Sequence, residues 1–272
     1  MSLDIHLQIK DTRPNAGNRV KILSVYNIKG GVGKTTTAVH LAHVAASAGL
    51  RTLIWDLDPQ GAASYCLHTK AHIKGGSESL LSGSKDVDAL IHNTPFEDLN
   101  ILPADFSNRH LDNLLDDVKK PLSRLRKILK PLRDEYDIVI LDCPPGITLL
   151  SEAVFGASDA LIVPTIPSTL SLRTLKQLIE FRNASRLNKL QLLAFFSMVD
   201  RRKNLHNRIL GAQDKLQPWV LKNWIPFASG IELMTEKRRP VTAAQPGSAL
   251  AERYRQLWAE IHTAVQEPRK NQ

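Results

Sequence analysis

The stretch Lys29-Gly30-Gly31-Val32-Gly33-Lys34-Thr35-Thr36 decides the fold of this chain. Glycines let successive backbone N–H groups turn inward around phosphate oxygens, because no Cβ stands in the way. A glycine loop that ends in Lys-Thr is therefore suited to hold nucleotide phosphates. The ordinary pattern G-x-x-x-x-G-K-[ST] would begin with a glycine at position 28, but Ile28 stands there and an additional lysine follows it. The loop is a deviant Walker A motif.

The residues around this loop support the motif over a chance glycine turn. Residues 22–26 are an apolar run typical of a buried strand, and residues 35–48 are an alanine-rich stretch typical of a helix that Gly49 ends. The dipole of that helix would add a favourable field for phosphates. Lys34 would reach the β- and γ-phosphates, and the Thr35 hydroxyl would bind a magnesium ion that bridges them.

Residues 29–36 together resemble the signature of the ParA/MinD family of P-loop ATPases, whose extra lysine separates them from other Walker proteins. The resemblance covers most of the chain. It implies an α/β fold, a doubly wound and mostly parallel sheet with helices on both faces, and it implies ATP and Mg2+ as cofactors. It also implies that Lys29 reaches across a homodimer interface to the partner's ATP, so that dimerisation and ATP binding are one event.

Two further motifs follow in the order that such a fold requires. Asp56-Leu57-Asp58-Pro59-Gln60-Gly61 comes directly after a predicted strand at residues 51–55, so its carboxylates lie at the carboxyl end of the sheet, where doubly wound folds place ligands. The stretch resembles the family's switch I, which implies that Asp58 helps to position the attacking water beside the magnesium ion. A plain turn at the end of a strand is the alternative interpretation. Lys29, Lys34 and Asp58 are the catalytic candidates.

The third motif is a hydrophobic strand at residues 136–141 that delivers Asp142 to the phosphate side of the sheet. This pattern is typical of Walker B, in which Asp142 would hold magnesium through a water molecule. Pro144-Pro145-Gly146 would then form the switch II loop that senses the γ-phosphate. The predicted metal-site residues are therefore Thr35, Asp58 and Asp142.

Later strands are predicted at residues 160–165 and 190–199, and a last strand at residues 219–221 and 224–226. A helix is predicted from residue 167 to about residue 186, because a proline and a serine mark its start. The ends of the last two strands resemble the family's adenine pocket. This resemblance implies base contacts from Met198, Asp200, Pro226 and Phe227, although each of them could equally be structural.

Length and composition predict one compact domain. With 272 residues, 43% of them hydrophobic, the chain can bury a large core. We expect a flexible arm at residues 1–18, a single ATPase domain at 19–266 and a tail at 267–272. The arm lacks the apolar core of a signal peptide. It is also too short for the N-terminal helix-turn-helix domain that the resemblance implies for family members that repress their own operon, which argues against recognition of an operator. Residues 69–84 are expected to be an exposed connection with a short helix near residues 79–81.

Cysteine content and hydropathy predict a cytoplasmic protein. Cys66 and Cys143 lack the spacing of a disulfide framework or a zinc site, which indicates a reducing compartment. There is no run of about 18 apolar residues, so no membrane span is expected.

The net charge of +9 is concentrated at one end of the chain. Residues 173–272 hold 18 Lys and Arg against 8 Asp and Glu, whereas residues 1–172 are almost neutral. Such an excess suits a DNA backbone, although a solvated surface is the alternative. The resemblance implies that an arginine matching Arg202 belongs to a DNA surface of the ATP dimer. The predicted DNA contacts are Arg201, Arg202, Lys203, Arg208, Lys237, Arg238 and Arg239.

Two amphipathic segments have a bearing on partners. Residues 119–133 carry Leu122, Leu125, Leu129 and Leu132 at helical spacing, which predicts a helix with a cationic wet side. The second segment, near the end of the chain, has a mixed-charge polar side, which favours docking onto the sheet over binding to lipid. Its apolar stripe consists of Leu250, Tyr254, Leu257, Trp258, Ile261 and Val265.

The sequence as a whole predicts a ParA-like ATPase associated with the nucleoid. It would bind DNA nonspecifically as an ATP dimer and position or segregate a plasmid, chromosome or protein body, with hydrolysis stimulated by a ParB-like adaptor. One alternative is a MinD-like ATPase associated with the membrane. Another is a metabolic P-loop enzyme, either a reductase with an iron–sulfur cluster or an amide-forming synthetase that shares the deviant loop.

Overall fold

A computed structural model describes residues 20–185, 187 and 189–266. The arm predicted at residues 1–18 and the tail predicted at 267–272 lie outside the described residues. The strands are β1 Lys21–Val25, β2 Thr52–Asp56, β3 His92–Asn93, β4 Leu99–Leu102, β5 Ile138–Asp142, β6 Ala160–Thr165 and β7 Gln191–Phe196. The helices are α1 Lys34–Ser47, α2 Ala62–Cys66, α3 Gly76–Ser82, α4 Leu111–Asp116, α5 Arg124–Ile128, α6 Leu149–Ala157, α7 Thr169–Ala184, α8 Asn204–Gly211, α9 Ser229–Lys237, α10 Val241–Ala244 and α11 Ala249–Gln266.

The seven strands form one sheet in the order β3-β4-β2-β5-β1-β6-β7. Strand β3 runs antiparallel to β4, and every other pairing is parallel. Parallel neighbours end at the same edge, so β1, β2, β5 and β6 deliver their last residues to one rim of the sheet, which we call the carboxyl edge. The predicted doubly wound α/β fold is confirmed.

Both faces of the sheet are buried, which explains why its strands are almost continuously hydrophobic. In β1, Ile22 faces a core built with α4 to α7, whereas Leu23 and Val25 face a core built with α1, α2 and α11. The predicted stripe of the last helix lies in the second core, where Leu250 is partly buried and its other members are buried. The expectation that this helix docks onto the body of the protein is confirmed.

Predicted element boundaries hold where local signals are strong. Helix α1 ends at Ser47, and Gly49 has a φ of +80°, a left-handed conformation that glycine adopts without strain. Helix α7 begins after Ser168, whose hydroxyl accepts the Ser171 N–H at 3.3 Å. It ends at Ala184, close to the predicted end.

The last predicted strand is wrong as a regular element. Residues 219–226 make two isolated parallel bridges, one between Ala194 and Val220 and one between Val199 and Pro226. Between the bridges, the backbone N–H groups of Lys222 and Asn223 donate to the Glu260 carboxylate of α11, at 2.7 and 2.9 Å. Because those donors are committed to a helix, the sheet ladder is interrupted there.

Two other expectations need correction. Residues 119–133 form one short helix, α5, between 3-10 turns, because Pro121 and Pro131 interrupt a longer helix, and Leu122 is exposed. The connection at residues 69–84 contains the expected short helix but is not simply exposed. Its residues Ile73, Leu80 and Leu81 are buried, and the Ile73 N–H donates to the Asp105 carboxylate at 2.8 Å.

Cys66 and Cys143 are both buried, and both are free thiols. Within the described ranges, no helix has the combination of length and apolarity that a membrane crossing requires.

Candidate nucleotide site

The glycine loop leaves β1 at the carboxyl edge and opens α1. Gly31 and Gly33 have φ values of +69° and +88°, and Gly33 is the N-cap of α1. A Cβ on Gly30 or Gly31 would have no atom within 4 Å, so this part of the loop faces open space. The left-handed backbone requires glycine at positions 31 and 33, and the open side leaves room for a phosphate group.

Lys34 is buried under the loop that it follows. Its Nζ donates to the Lys29 carbonyl at 3.1 Å, which closes the loop over the side chain. Burial lowers the pKa of Lys34, and the charges of Asp142 and Asp58 act in the opposite direction. A buried ammonium held beside a phosphate-sized opening suits a polyphosphate ligand, because it is already partly desolvated.

Lys29, the extra lysine, is oriented differently. Its backbone N–H donates to the Asn27 side chain at 2.9 Å, which fixes the start of the loop. Asn27 is buried and donates from its Nδ2 to the Pro164 carbonyl of β6 at 2.8 Å. The half-buried Lys29 ammonium makes no hydrogen bond or ion pair with any described residue. The backbone of Lys29 is therefore held in place, whereas its ammonium group is unpaired among the described residues.

Two carboxylates meet beneath this loop. Asp56 and Asp142 end the neighbouring strands β2 and β5 and stand directly opposite each other in the parallel register. Both are fully buried. Asp56 Oδ2 accepts the Ser64 N–H at 2.8 Å and the Ser64 hydroxyl at 2.7 Å, but Asp56 Oδ1 and both oxygens of Asp142 lack a partner among the described residues.

Two buried anions side by side with unpaired oxygens are unfavourable, and their pKa values reflect this. Burial, and then the neighbouring charge of Asp56, raises the pKa of Asp142 well above its ordinary value. Burial raises the pKa of Asp56 to about 6. The Thr35 hydroxyl and the Lys34 ammonium, which lie near Asp142 without satisfying its oxygens, act on its pKa in the opposite direction. A divalent cation near Thr35 and Asp142 would supply the missing positive charge, so these residues fit the predicted magnesium site.

The donor set suits magnesium in a particular way. Among the described residues, no three His, Cys, Asp or Glu side chains gather into a metal cage. Magnesium commonly binds through one or two carboxylates together with waters and substrate phosphates, and needs no such cage. The site therefore fits an ion that arrives with a nucleotide.

Asp58 lies half-buried at the rim of the same group. Its Oδ1 accepts the Gln60 N–H at 2.9 Å, and its carbonyl accepts the Gly61 N–H at 2.9 Å, so the switch I candidate begins as a tight turn. Its charge acts on the pKa of both Lys34 and Asp142. Asp58 is thus near the predicted reaction centre, as expected. Its role in positioning water stays a prediction.

Thr36 and its neighbours are held from the far side by His40. The His40 Nε2 accepts the Val241 N–H at 3.0 Å, so Nδ1 carries the ring proton and donates to the Thr36 carbonyl at 2.6 Å. The ring stacks on Tyr254 at 4.1 Å. Burial lowers the pKa of His40 to about 4, so the ring is neutral near pH 7. The first turn of α1 is thereby joined to α10 and α11.

The four adenine candidates lie on two neighbouring segments. The parallel bridge between Val199 and Pro226 brings Met198 and Asp200 next to Pro226 and Phe227. Met198 has a φ of +54°, and its Cε lies 3.7 Å from the position that a Cβ on Gly33 would occupy. The segment that follows β7 therefore touches the glycine loop. A base contact from any of the four stays a prediction.

The two basic clusters are separated in space. The first, Arg201 to Lys203 with Arg208, follows β7, and the second, Lys237 to Arg239, ends α9. The nine residues of α9 span about 13 Å. Helix α9 starts just after Phe227, whose N–H donates to the Val199 carbonyl at 3.0 Å, and ends where Arg238 meets Tyr65. The clusters therefore lie at opposite ends of α9.

Several of the predicted DNA contacts already have protein partners. Arg202 makes a bidentate ion pair with Asp200 at 2.9 and 3.0 Å, which lowers the pKa of Asp200 to about 2. Arg238 donates to the Tyr65 carbonyl at 2.9 Å and stacks on the Tyr65 ring, and Arg239 lies 5.9 Å from the centre of the Phe96 ring. By contrast, Arg201, Lys203, Arg208 and Lys237 are exposed.

Sequence reasoning missed the part that Asn27, Asp56 and Ser64 play in this site. For Asp56 a signal existed, because it ends one predicted strand just as Asp142 ends another, and parallel strands align their ends. Asn27 and Ser64 act through contacts with Pro164 and Asp56, which no local pattern indicates.

Comparisons with known proteins agree with this geometry. The family described as AAA domain matches residues 20–193. The sporulation initiation inhibitor protein Soj of Bacillus subtilis is 32% identical over 251 residues, which cover 89% of this chain and 98% of Soj. The chain belongs to the ParA/MinD family of P-loop ATPases. A second member, the chromosome partitioning protein ParA of Myxococcus xanthus, is 38% identical over 161 residues, covering 58% of this chain but 56% of that protein's own length.

Solved structures place this ParA/MinD-family protein among nucleotide-binding relatives. The McdA(D38A)–ATP complex of Cyanothece superposes with a TM-score of 0.79 at 19% identity, over 94% of this chain and 100% of McdA, which establishes similarity of fold. Cobyrinic acid a,c-diamide synthase of Mycobacterium smegmatis, with a bound ATP analogue and magnesium, has a TM-score of 0.77 at 26% identity, over 93% of this chain and 98% of that chain. The fold is therefore shared by an ATP-binding protein, McdA, and by a diamide synthase.

Proposed function

We propose that this family member is a magnesium-dependent ATP hydrolase that dimerises on ATP, binds DNA nonspecifically and positions a cargo over the nucleoid. The observation that carries the proposal is the group of Lys34, Thr35, Asp56 and Asp142, in which buried carboxylates lack partners beside a buried lysine. Such an arrangement is unfavourable without a ligand and favourable with magnesium and a polyphosphate.

Each residue of the site has a role that its position supports. Lys34 would bind the β- and γ-phosphates, while Thr35 and Asp142 would hold the ion, Asp142 through water. Magnesium, when bound, neutralises charge on the phosphate oxygens. Asp58, at the rim, would accept a hydrogen bond from the attacking water and orient it towards the γ-phosphorus. Asp58→Ala is accordingly expected to bind ATP but hydrolyse it far more slowly, and an unchanged rate would remove Asp58 from this role.

Dimerisation is supported by two features of the carboxyl edge. The Lys29 ammonium has no partner among the described residues, so it is available to a second copy. Large apolar side chains are also exposed in the loops and first helical turns that follow the strands at this edge. Exposed apolar groups gathered near a binding site are typical of an interface. They are Tyr65, Phe106, Ile147, Leu170 and Phe227.

The proposals of DNA binding and cargo positioning are supported by the basic charge and by the similarity to Soj and ParA. The basic excess of residues 173–272 supports phosphate binding, and the relatives Soj and ParA are named for sporulation control and chromosome partitioning. A ParB-like adaptor would stimulate hydrolysis and release the dimer from DNA. The ATP state would then control dimer and DNA together, and the protein would act in the cytoplasm at the nucleoid.

The decisive experiment compares the wild type with Lys29→Ala. Mass and binding to unrelated duplex DNA are measured with ATP, with ADP and without nucleotide, across a salt series. We expect the wild type to form a dimer and bind DNA with ATP, with an affinity that falls as salt rises. Lys29→Ala should bind ATP and remain monomeric, with no gain in DNA binding. Lys176→Ala, at an exposed lysine of α7, is the matched control.

The contrary outcomes are specific. DNA binding that ignores nucleotide would contradict the switch, and an ATP dimer of Lys29→Ala would contradict the role of Lys29. ATP-dependent binding to anionic liposomes in place of DNA would favour the MinD-like alternative. ATP binding by a protein that binds neither DNA nor liposomes would favour a metabolic enzyme.

A further inference from the structure

The strand that leads into the glycine loop also contacts the switch II loop. Tyr26 follows β1, and its side chain is completely buried, with its ring edge-on to Phe155 of α6 at 4.8 Å. Its hydroxyl donates to the Gly146 carbonyl at 2.7 Å. Burial raises the pKa of Tyr26 to about 12, so the phenol keeps its proton and remains a donor at ordinary pH.

Gly146 is held at both of its polar backbone atoms. Its N–H donates to the Ile28 carbonyl at 3.1 Å, two residues beyond Tyr26. Its φ is +105°, and a Cβ built on it would meet no atom closer than 3.8 Å, so backbone conformation rather than space requires glycine there. The backbone donor and the backbone acceptor of one switch II residue are thus both committed to the segment that enters the glycine loop.

This commitment matters for a loop that senses a γ-phosphate. Switch loops recognise that group by presenting new donors to it, and they are released when it is lost. Here the Gly146 N–H is already used by Ile28, so presenting it to a phosphate requires that bond to break. The Tyr26 bond restrains the same residue and would have to stretch or break in the same movement.

We propose that Tyr26 is a positioning residue that, together with the Ile28 carbonyl, latches Gly146 to the strand before the glycine loop and so sets how strongly the site prefers ATP to ADP. ADP leaves the latch closed, since it brings no γ-phosphate to compete for the Gly146 N–H. ATP opens it and is bound more weakly than the phosphate contacts alone would allow. The inference rests on the proposed ATPase function.

The side-chain half of the latch can be removed with one atom. Tyr26→Phe keeps the ring against Phe155 but deletes the hydroxyl, and a net hydrogen bond corresponds to a shift of about two- to tenfold in an equilibrium. Tyr136→Phe is the matched control, because Tyr136 is also a buried phenol. Its hydroxyl donates to Asn100 Oδ1 at 3.3 Å, at the opposite end of β5.

The first measurement is amide hydrogen exchange of the peptide covering residues 143–148, without nucleotide. We expect exchange in that peptide to be about two- to tenfold faster in Tyr26→Phe than in the wild type, and unchanged in Tyr136→Phe. Equal exchange in Tyr26→Phe and the wild type would show that the hydroxyl does not restrain the loop, and would overturn the proposal.

The second measurement is affinity for ADP and for a non-hydrolysable ATP analogue, both with magnesium, in dilute protein. Tyr26→Phe should bind the analogue about two- to tenfold more tightly while ADP affinity stays the same. An equal change for both nucleotides, or weaker binding of the analogue, would overturn the proposal. If the wild type binds neither nucleotide, the proposed function fails instead, and the hydrogen-exchange result still tests the latch.

Discussion

The nucleotide site and the basic clusters of residues 173–272 differ in whether their charged side chains are buried and whether they are paired. At the site, the carboxylates of Asp56 and Asp142 are buried and leave three oxygens without partners among the described residues. In the clusters, Arg202 is exposed but already paired with Asp200, and Arg238 is bonded to Tyr65. A buried unpaired charge is costly and therefore indicates a missing ligand, whereas an exposed charge is compatible with water, a protein partner or DNA.

The largest effect is expected at Lys34, a buried residue of the nucleotide site. Lys34→Ala removes the ammonium that would bind the phosphates, so affinity for ATP should fall on the order of 100-fold or more. Titration with a fluorescent ATP analogue measures the change, with Lys176→Ala as control. An affinity within a factor of three of the wild type would mean that the buried lysine stabilises the loop and does not bind nucleotide.

A large effect on stability is expected at His40, which joins the site to the segment after the second basic cluster. Its pKa of about 4 lies below the 6.5 of an exposed histidine, so between these values the unfolded chain binds a proton that the folded protein excludes. The free energy of unfolding should therefore fall as pH drops from about 6.5 to 4, by about 2 to 4 kcal/mol for this residue.

Urea unfolding at several pH values tests this expectation. His40→Gln should be less stable at pH 7, because two hydrogen bonds and a stacking contact are altered, but its stability should decline less between pH 6.5 and 4.5. His92→Gln, at an exposed position in β3, is the control. A wild-type pH slope in His40→Gln would assign the acid sensitivity to other groups, among them His43, whose pKa burial also lowers to about 4.

A variant of Asp142 tests whether the site is arranged to bind a ligand at the expense of the stability of the free protein. Asp142→Asn removes a buried carboxyl group whose charged form is costly beside Asp56, so without nucleotide its free energy of unfolding should be about 1 to 3 kcal/mol higher than that of the wild type at pH 7.5. Magnesium-dependent ATP hydrolysis should be lost in the same variant. Thermal unfolding without nucleotide measures the stability, and phosphate release with magnesium ATP measures the hydrolysis. A destabilised, active Asp142→Asn protein would contradict the assignment.

The smallest effects are expected in the exposed clusters. Arg201→Glu and Lys237→Glu each change one exposed cation at opposite ends of α9. If both clusters contact DNA, each variant should weaken binding several-fold and lower the salt dependence by a slope of about 1. ATP-dependent dimerisation should be unchanged. An effect of one variant alone would confine the DNA surface to that cluster.

Much of the fold could be predicted because the signals were local. Gly49 marked the end of α1, Ser168 marked the start of α7, and buried strands of the right length preceded the glycine loop and Asp142. The errors arose where a distant group intervened. Glu260 of α11 takes the N–H donors of residues 222 and 223 and interrupts the last strand, although the residues there have strand-like composition.

The same division runs through the site. By itself, the sequence determined the α/β fold and the positions of the glycine loop, Lys34 and Asp142 at the ends of strands. It could do so because strand–loop–helix patterns repeat the same backbone geometry wherever they occur. The tertiary structure alone decided that Asp56 lies against Asp142, that Tyr26 bonds Gly146, and that the two basic clusters lie at opposite ends of α9. Those facts depend on contacts between residues that are far apart in the chain, and such contacts are set by packing and strand register rather than by any local run of residues.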